Sequence, residues 1–189
     1  LPNDGADIIY GDGGMYIHRE GESMYSFYLP EWKGVDAETG LGEFWVDPLD
    51  HSQGVTNYYS QAGSAIVGKA LPDFTGGMTN TMTFLDGLLD LSFLISYQFG
   101  GSLFDYPGYF THSDGFRAAS MNAAADAADY WTPQNRDAKF PKPIMNNPYR
   151  WDRFSSRLIR STDNIRMREI TVGCNIPVKK YLESVRVYF

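Results

Sequence analysis

A single cysteine, Cys174, stands among the 189 residues, so no intrachain disulfide can form and the residue says little about compartment. No run of about 18 apolar residues exists either, which removes a membrane-spanning helix. That absence excludes helical membrane proteins alone. A barrel strand turns one face to lipid and the other to its lumen, so apolar and polar residues cancel in any window average. Positive charge is scarce: 16 Lys and Arg against 23 Asp and Glu give a net charge of −7. Phosphate binding needs clustered cations, so nucleic acid is not an expected partner.

Site chemistry is equally thin. His18, His51 and His112 are far apart and lack ligand spacing, so no metal site is read. Gly34 to Gly40 (GVDAETG) holds two carboxylates beside glycine but lacks a ligand at every second position and a distal Glu; it reads as a turn, not a calcium loop. Gly11 to Gly14 (GDGG) fits no phosphate-binding fingerprint. No serine elbow or Cys–His nucleophile stands out. The expectation is no cofactor, no catalytic residue and no enzyme.

What is abundant points elsewhere. Aromatics reach 15%, with 13 Tyr, 12 Phe and 4 Trp, as where aromatic girdles sit at membrane interfaces. The most specific local signal runs from Pro72 to Gly101. Phe74, Gly76, Met78, Asn80, Met82 and Phe84 share one parity, with Thr75, Gly77, Thr79, Thr81 and Thr83 on the other. Asp86-Gly87 follows, the preferred dipeptide of a two-residue type I′ hairpin turn. On the return, Leu89, Leu91, Phe93, Ile95, Tyr97 and Phe99 fall on one face; Asp90, Ser92, Ser96 and Gln98 fall on the other, with Leu94 the exception. Each arm has the length a tilted strand needs to cross the hydrocarbon layer. A soluble sandwich would alternate too; the row of large apolar residues ending in Tyr97 and Phe99 favours lipid.

Asn164 to Ile176 is a second strand, with Ile170, Val172, Cys174 and Ile176 on one face and Pro177 ending it. Val185 to Phe189 begins another. Met24 to Trp32 and Glu43 to Val46 are further strands, and Met15 to Arg19 is left open. Asp90, Glu169 and Arg166 or Arg168 stand where they face the lumen or the membrane edge. Short links (Asp86-Gly87, Pro177 to Glu183) alternate with long ones (Gly34 to Leu71, Ser102 to Asp163), as in barrels with short periplasmic turns and long extracellular loops.

The long stretch Gly101 to Asp163 must be functional or folded in itself. Ala118 to Tyr130 is expected to form a short helix. Phe104, Tyr106, Tyr109 and Trp131, within aromatic clusters, are candidate substrate contacts by stacking on sugar rings, or a surface that packs on a partner protein; the alternative is that such aromatics fill the loop's own small core.

Four blocks in order, Gly21 to Gly40, Gly68 to Gly101, Tyr130 to Pro141 and Asn164 to Pro177, resemble the SusC/RagA-like TonB-linked outer-membrane proteins of Bacteroidetes. The resemblance implies a plugged barrel of roughly 22 strands. It also implies import of glycans or peptides, with a SusD-like surface lipoprotein as partner. Plug and TonB-contacting segments lie N-terminal in that family, and strands continue beyond the block like Val185 to Phe189. Leu1 to Ala6 show no signal peptide. The chain is therefore expected to be part of a longer polypeptide, joined to the rest of its barrel and to the lipid bilayer.

The fold expected is all-β: part of a large antiparallel transmembrane β-barrel with about six strands, long extracellular loops and a short loop helix. The location expected is the outer membrane. Leu89, Leu91, Phe93, Ile95, Tyr97, Phe99, Ile170 and Val172 are expected to face lipid. The rival reading is a secreted, soluble all-β carbohydrate-binding module.

Overall fold

The computed structural model describes residues 6–176 and 185–189. Its strands, in chain order, are β1 (Ile8–Tyr10), β2 (Tyr16–His18), β3 (Ser26–Pro30), β4 (Trp32–Val35), β5 (Gly42–Trp45), β6 (Val55–Thr56), β7 (Ser64–Lys69), β8 (Phe74–Phe84), β9 (Leu89–Phe99), β10 (Ser102–Phe104), β11 (Ile159–Ser161), β12 (Asn164–Ile176) and β13 (Val185–Tyr188). One α-helix, α1 (Tyr106–Thr111), accompanies them. The chain divides into two units: Pro72–Gly101 with Thr162–Phe189, and Leu1–Leu71 with Ser102–Ser161.

The first of these is a four-stranded antiparallel sheet in the order β13-β12-β9-β8. Period-two alternation on β8 and β9 is kept in unbroken register from Phe74↔Phe99 to Phe84↔Leu89. The turn between them falls where expected but is longer than two residues: pairing ends at Phe84↔Leu89, and Leu85 also takes positive φ (54°). Asp86 and Gly87 both take positive φ (53° and 89°), and the Leu88 amide donates to the Leu85 carbonyl at 3.1 Å, as a type I′ turn requires. Asn175 on β12 then satisfies the turn's outward carbonyls: its backbone N–H reaches Leu88 and its side-chain amide reaches Gly87, both at 2.8 Å.

β12 runs over the residues expected of it, but not as a plain strand. Its register against β9 shifts between Met167 and Glu169, a β-bulge at Arg168. Up to Met167, odd-numbered residues share a face with Ile95 and Tyr97; from Glu169 on, even-numbered residues do. A bulge adds one residue and so reverses parity, which keeps Ile165, Met167, Ile170 and Val172 on one side. The proposed stop at Pro177 and the short link to Glu183 lie outside the described residues.

The other unit is built from shorter pieces. β1-β2-β3-β7 form one antiparallel sheet, β4-β5-β6 a second, and β10 pairs with β11. Met15, Phe27, Leu29 and Phe154 form its core, with Phe104, Tyr109 and Ile159 packed against it. The open question at Met15 to Arg19 is answered, since β2 pairs with both β1 and β3. Met24 to Trp32 is split: the chain leaves one sheet at Pro30 and enters the other at Trp32. Gly34 to Gly40 is a turn, closed by the Gly40 amide on the Asp36 carbonyl at 2.8 Å. Thr39 and the Glu38 amide, donating to the Asp36 side chain, hold that carboxyl below its ordinary range.

Two expectations need correcting. The described residues hold thirteen strands rather than about six, because short strands in the loop regions escape a search tuned to long arms. The helix expected at Ala118 to Tyr130 is absent apart from one 3-10 turn, Ala125–Ala128. Alanine favours helix intrinsically, but a short helix without an apolar face to bury is marginal. Extended backbone at Ala124 breaks the run, and the side chain of Asp126 is drawn to His112. The helix that does form, α1, has Asp105 as N-cap, accepting from the Gly108 amide at 2.8 Å, and Pro107 in its first turn.

Candidate functional site

The four-stranded sheet carries two chemically opposite faces. Cross-strand pairing sets Phe74, Gly76, Met78, Asn80, Met82 and Phe84 beside Phe99, Tyr97, Ile95, Phe93, Leu91 and Leu89. β12 continues the same face with Ile165, Met167, Ile170, Val172 and Cys174, and β13 adds Val185 and Val187. None of these residues is charged. Many are open: Phe74 is 69% exposed, Ile165 67%, Met167 61% and Ile170 58%. Contiguous apolar surface of this extent is rare on a protein bathed in water. The central residues Leu89, Leu91, Phe93 and Ile95 are half-buried only because strands flank them on both sides.

Glycine shapes this face at one point. A Cβ on Gly76 would lie 2.4 Å from the Tyr97 hydroxyl oxygen, so the tyrosine ring lies over the bare backbone of the opposite strand. The Tyr97 and Phe99 rings lie 6.0 Å apart, tilted by 32°, at the end of the sheet away from the Asp86-Gly87 turn.

The opposite face is polar. Thr81 and Ser92 share a hydrogen bond at 3.1 Å, Gln98 donates to Thr162 at 2.9 Å, and Arg168 donates to Ser96 at 2.9 Å. Asp90, which is 8% exposed, pairs with Arg186 at 2.7 Å across Gly173. The one apolar intruder is Leu94, opposite Thr79 and Glu169. All eight residues expected to face lipid therefore share one face, and the bulge adds Ile165 and Met167, which an unbroken parity count places on the wrong side. The signal that would have found them is the phase jump in NIRMREITV, where apolar residues move from odd to even positions at Arg168.

The four loop aromatics do not converge on one place. Phe104 and Tyr109 each pack edge-on against Phe154, with ring centroids 4.9 Å away. Arg117 lies over the Tyr109 ring at 4.3 Å. Tyr106 is 46% exposed; beside it Asp12, Tyr59, Tyr109, Phe110 and Arg153 help line a hollow of 340 Å³. Trp131 is elsewhere, its indole N–H donating to the Ala37 carbonyl at 2.9 Å and its ring against Gly40, where a Cβ would come within 2.4 Å.

The same unit holds a buried charge cluster. Arg157 holds Asp114 through both guanidinium ends and sits between Trp32 and Phe140, 4.9 and 5.2 Å from their ring centroids. Burial holds the Asp114 carboxyl above its ordinary range, against the opposing pull of Arg157. Asp152, fully enclosed, takes Arg150 at 2.9 Å and Arg117 at 3.6 Å. Among the described residues no group of three or more His, Cys, Asp or Glu is arranged to hold a metal ion.

No protein-family model matches the chain. It is 29% identical over 191 residues to TonB-dependent receptor P3 of Formosa agariphila, a match covering 91% of this chain and 17% of that protein. To TonB-dependent receptor P26 of the same organism it is 25% identical over 173 residues, covering 85% and 16%. The chain thus spans about a sixth of the length of these curated relatives. Among solved structures, the RagAB peptide importer in its open-open state aligns over 100% of this chain and 20% of its own, with a TM-score of 0.77 and 20% identity. The RagAB peptide transporter gives a TM-score of 0.72 and 21% identity over the same shares. At those identities the structures speak for the fold alone. The similarities bear out the resemblance to SusC/RagA-like TonB-linked outer-membrane proteins, and the fold as a stretch of antiparallel outer-membrane barrel. The chain is an outer-membrane one.

Proposed function

We propose that this chain supplies part of the wall and extracellular loops of a TonB-dependent importer of glycans or peptides. The apolar face carrying Leu89, Leu91, Phe93, Ile95, Tyr97, Phe99, Ile170 and Val172 meets lipid, and the hydrogen-bonding face lines the lumen. The supporting observation is the uncharged, exposed face continued across all four strands, with the Arg168 bulge preserving it. Strands of 11 residues rising about 3.4 Å each and tilted about 45° cover a band of about 25 Å, the height of the apolar belt of such barrels. The Asp86-Gly87 turn lies on the periplasmic side and the long connections outside. The work of transport belongs to the whole barrel: TonB engages it through a plug region outside this chain, and a SusD-like lipoprotein caps it. Of the loop aromatics, Tyr106 at its hollow is the one offered for substrate contact: it too packs on Phe104 and Phe110, but it is the most exposed of the four. The named relatives are receptors and transporters rather than enzymes, and a soluble carbohydrate-binding module would not leave this face bare.

Phe93→Asp and Ser92→Asp test the assignment as a pair of neighbours on opposite faces. A charge on the lipid side at mid-height costs about 2–4 kcal/mol for Lys or Arg and less for a carboxylate; one on the lumen side costs little. The full-length protein carrying Phe93→Asp should reach the outer membrane in much reduced folded amount, and the Ser92→Asp protein at close to the normal level. Equal yields would overturn the assignment of faces.

A further inference from the structure

The bulge in β12 does more than return Ile165 and Met167 to the apolar side. The extra residue joins the polar face, so Arg166 and Arg168 emerge together beside a single position of β9. Arg166 stands directly opposite Ser96, and Arg168 donates from Nε to Ser96 Oγ at 2.9 Å. The next position in that row, on β8, is Gly77, which has no side chain to fill the space. Both arginines are exposed, and neither has a carboxylate in ion-pair range among the described residues. The acids of this face are engaged elsewhere: Asp90 with Arg186, and Glu169 with the Thr171 hydroxyl at 2.9 Å. Among the described residues of these strands, two of the three arginines on this face thus meet at Ser96.

Two like charges side by side repel, so the pair gives the sheet no stability. Nor does lipid tolerate them, which requires water on this side. We propose that Arg166 and Arg168 form an anion-recognition site on the lumenal face of the wall, engaging the carboxylate of a solute on its way through the lumen. This rests on the wall reading above. A guanidinium matches a carboxylate through two parallel N–H···O bonds. Arg168, tethered to Ser96, holds its orientation, while Arg166 is free to close on the ligand. Charge lining a water-filled path raises the local concentration of the opposite ion, and contact made in water stays weak enough for release. The bulge is then the device that doubles the charge at one height of the wall.

A reporter thiol at Ser96 tests this in the full-length protein, freed of other reactive cysteines by changes that include Cys174→Ser, in outer-membrane vesicles. The probes are two water-soluble methanethiosulfonates, one bearing a sulfonate and one a quaternary ammonium. Ser96→Cys should react with both, and Arg166→Gln with Arg168→Gln should lower the sulfonate-to-ammonium rate ratio about ten-fold, less at high salt. A ratio unchanged by the double substitution overturns the site, and so does a thiol that neither reagent reaches. Failure of the wall reading has a different signature: Phe93→Cys would then react as fast as Ser96→Cys.

Discussion

At Asp114 a carboxylate sits in the interior of the loop unit with its charge answered by one guanidinium. Burial outweighs that partner and raises its pKa above 3.8, so the folded form holds the proton more tightly than the unfolded form. The stability this group contributes is therefore complete below about pH 4 and is lost as pH rises through the raised value. Asp114→Asn removes the titration and presents Arg157 with a neutral side chain, as the protonated acid does. The variant should match the parent most closely near about pH 3, where both side chains are neutral, and gain on it as pH rises toward about pH 7. Denaturant midpoints of loop unfolding would show it; a variant that falls further below the parent as pH rises would mean that Arg157, not burial, governs the carboxyl.

Strand and turn are the scale at which sequence and structure agree best. The Asp86-Gly87 hairpin was legible because a type I′ turn demands positive φ and because both arms alternate without interruption. The loop unit was not, since its strands of two to six residues are too short to display a period, and their pairing is decided by tertiary contacts such as those of Met15, Phe27 and Phe154. Phe104 and Tyr109 illustrate the same limit: composition marks aromatics as contact candidates, and only packing shows which have a ring already against Phe154. β12 lies between these cases, with its extent readable and its bulge not. Deleting Arg168 tests what the bulge does. One residue fewer restores plain alternation and turns either Ile165 and Met167 or Ile170 and Val172 toward the lumen. The deletion should cut folded protein in the outer membrane more severely than Arg168→Ala, which keeps the residue count; equal behaviour of the two would mean that the side chain alone matters.

For the molecule as a whole, the sheet leaves β8 and β13 each with one unpaired edge among the described residues. On the proposed reading unpaired edges are not tolerated in lipid, and further strands complete the wall. The 189-residue piece expressed alone should accordingly aggregate or require detergent, and the intact parent should leave the membrane only with detergent. Recovery of either as a soluble monomer would contradict a lipid-facing wall.

Gly173 carries a further consequence. Strict alternation is degenerate: a strand displaced by two residues along its neighbour keeps every side chain on its proper face, so hydrophobicity cannot tell the right alignment from that error. A Cβ at position 173 would lie 2.5 Å from an Asp90 oxygen, and a slip of two residues would bring Thr171 or Asn175 against that carboxylate instead. The missing side chain thus works as a keyway: any other setting of β12 beside β9 asks the Asp90 carboxylate to turn aside.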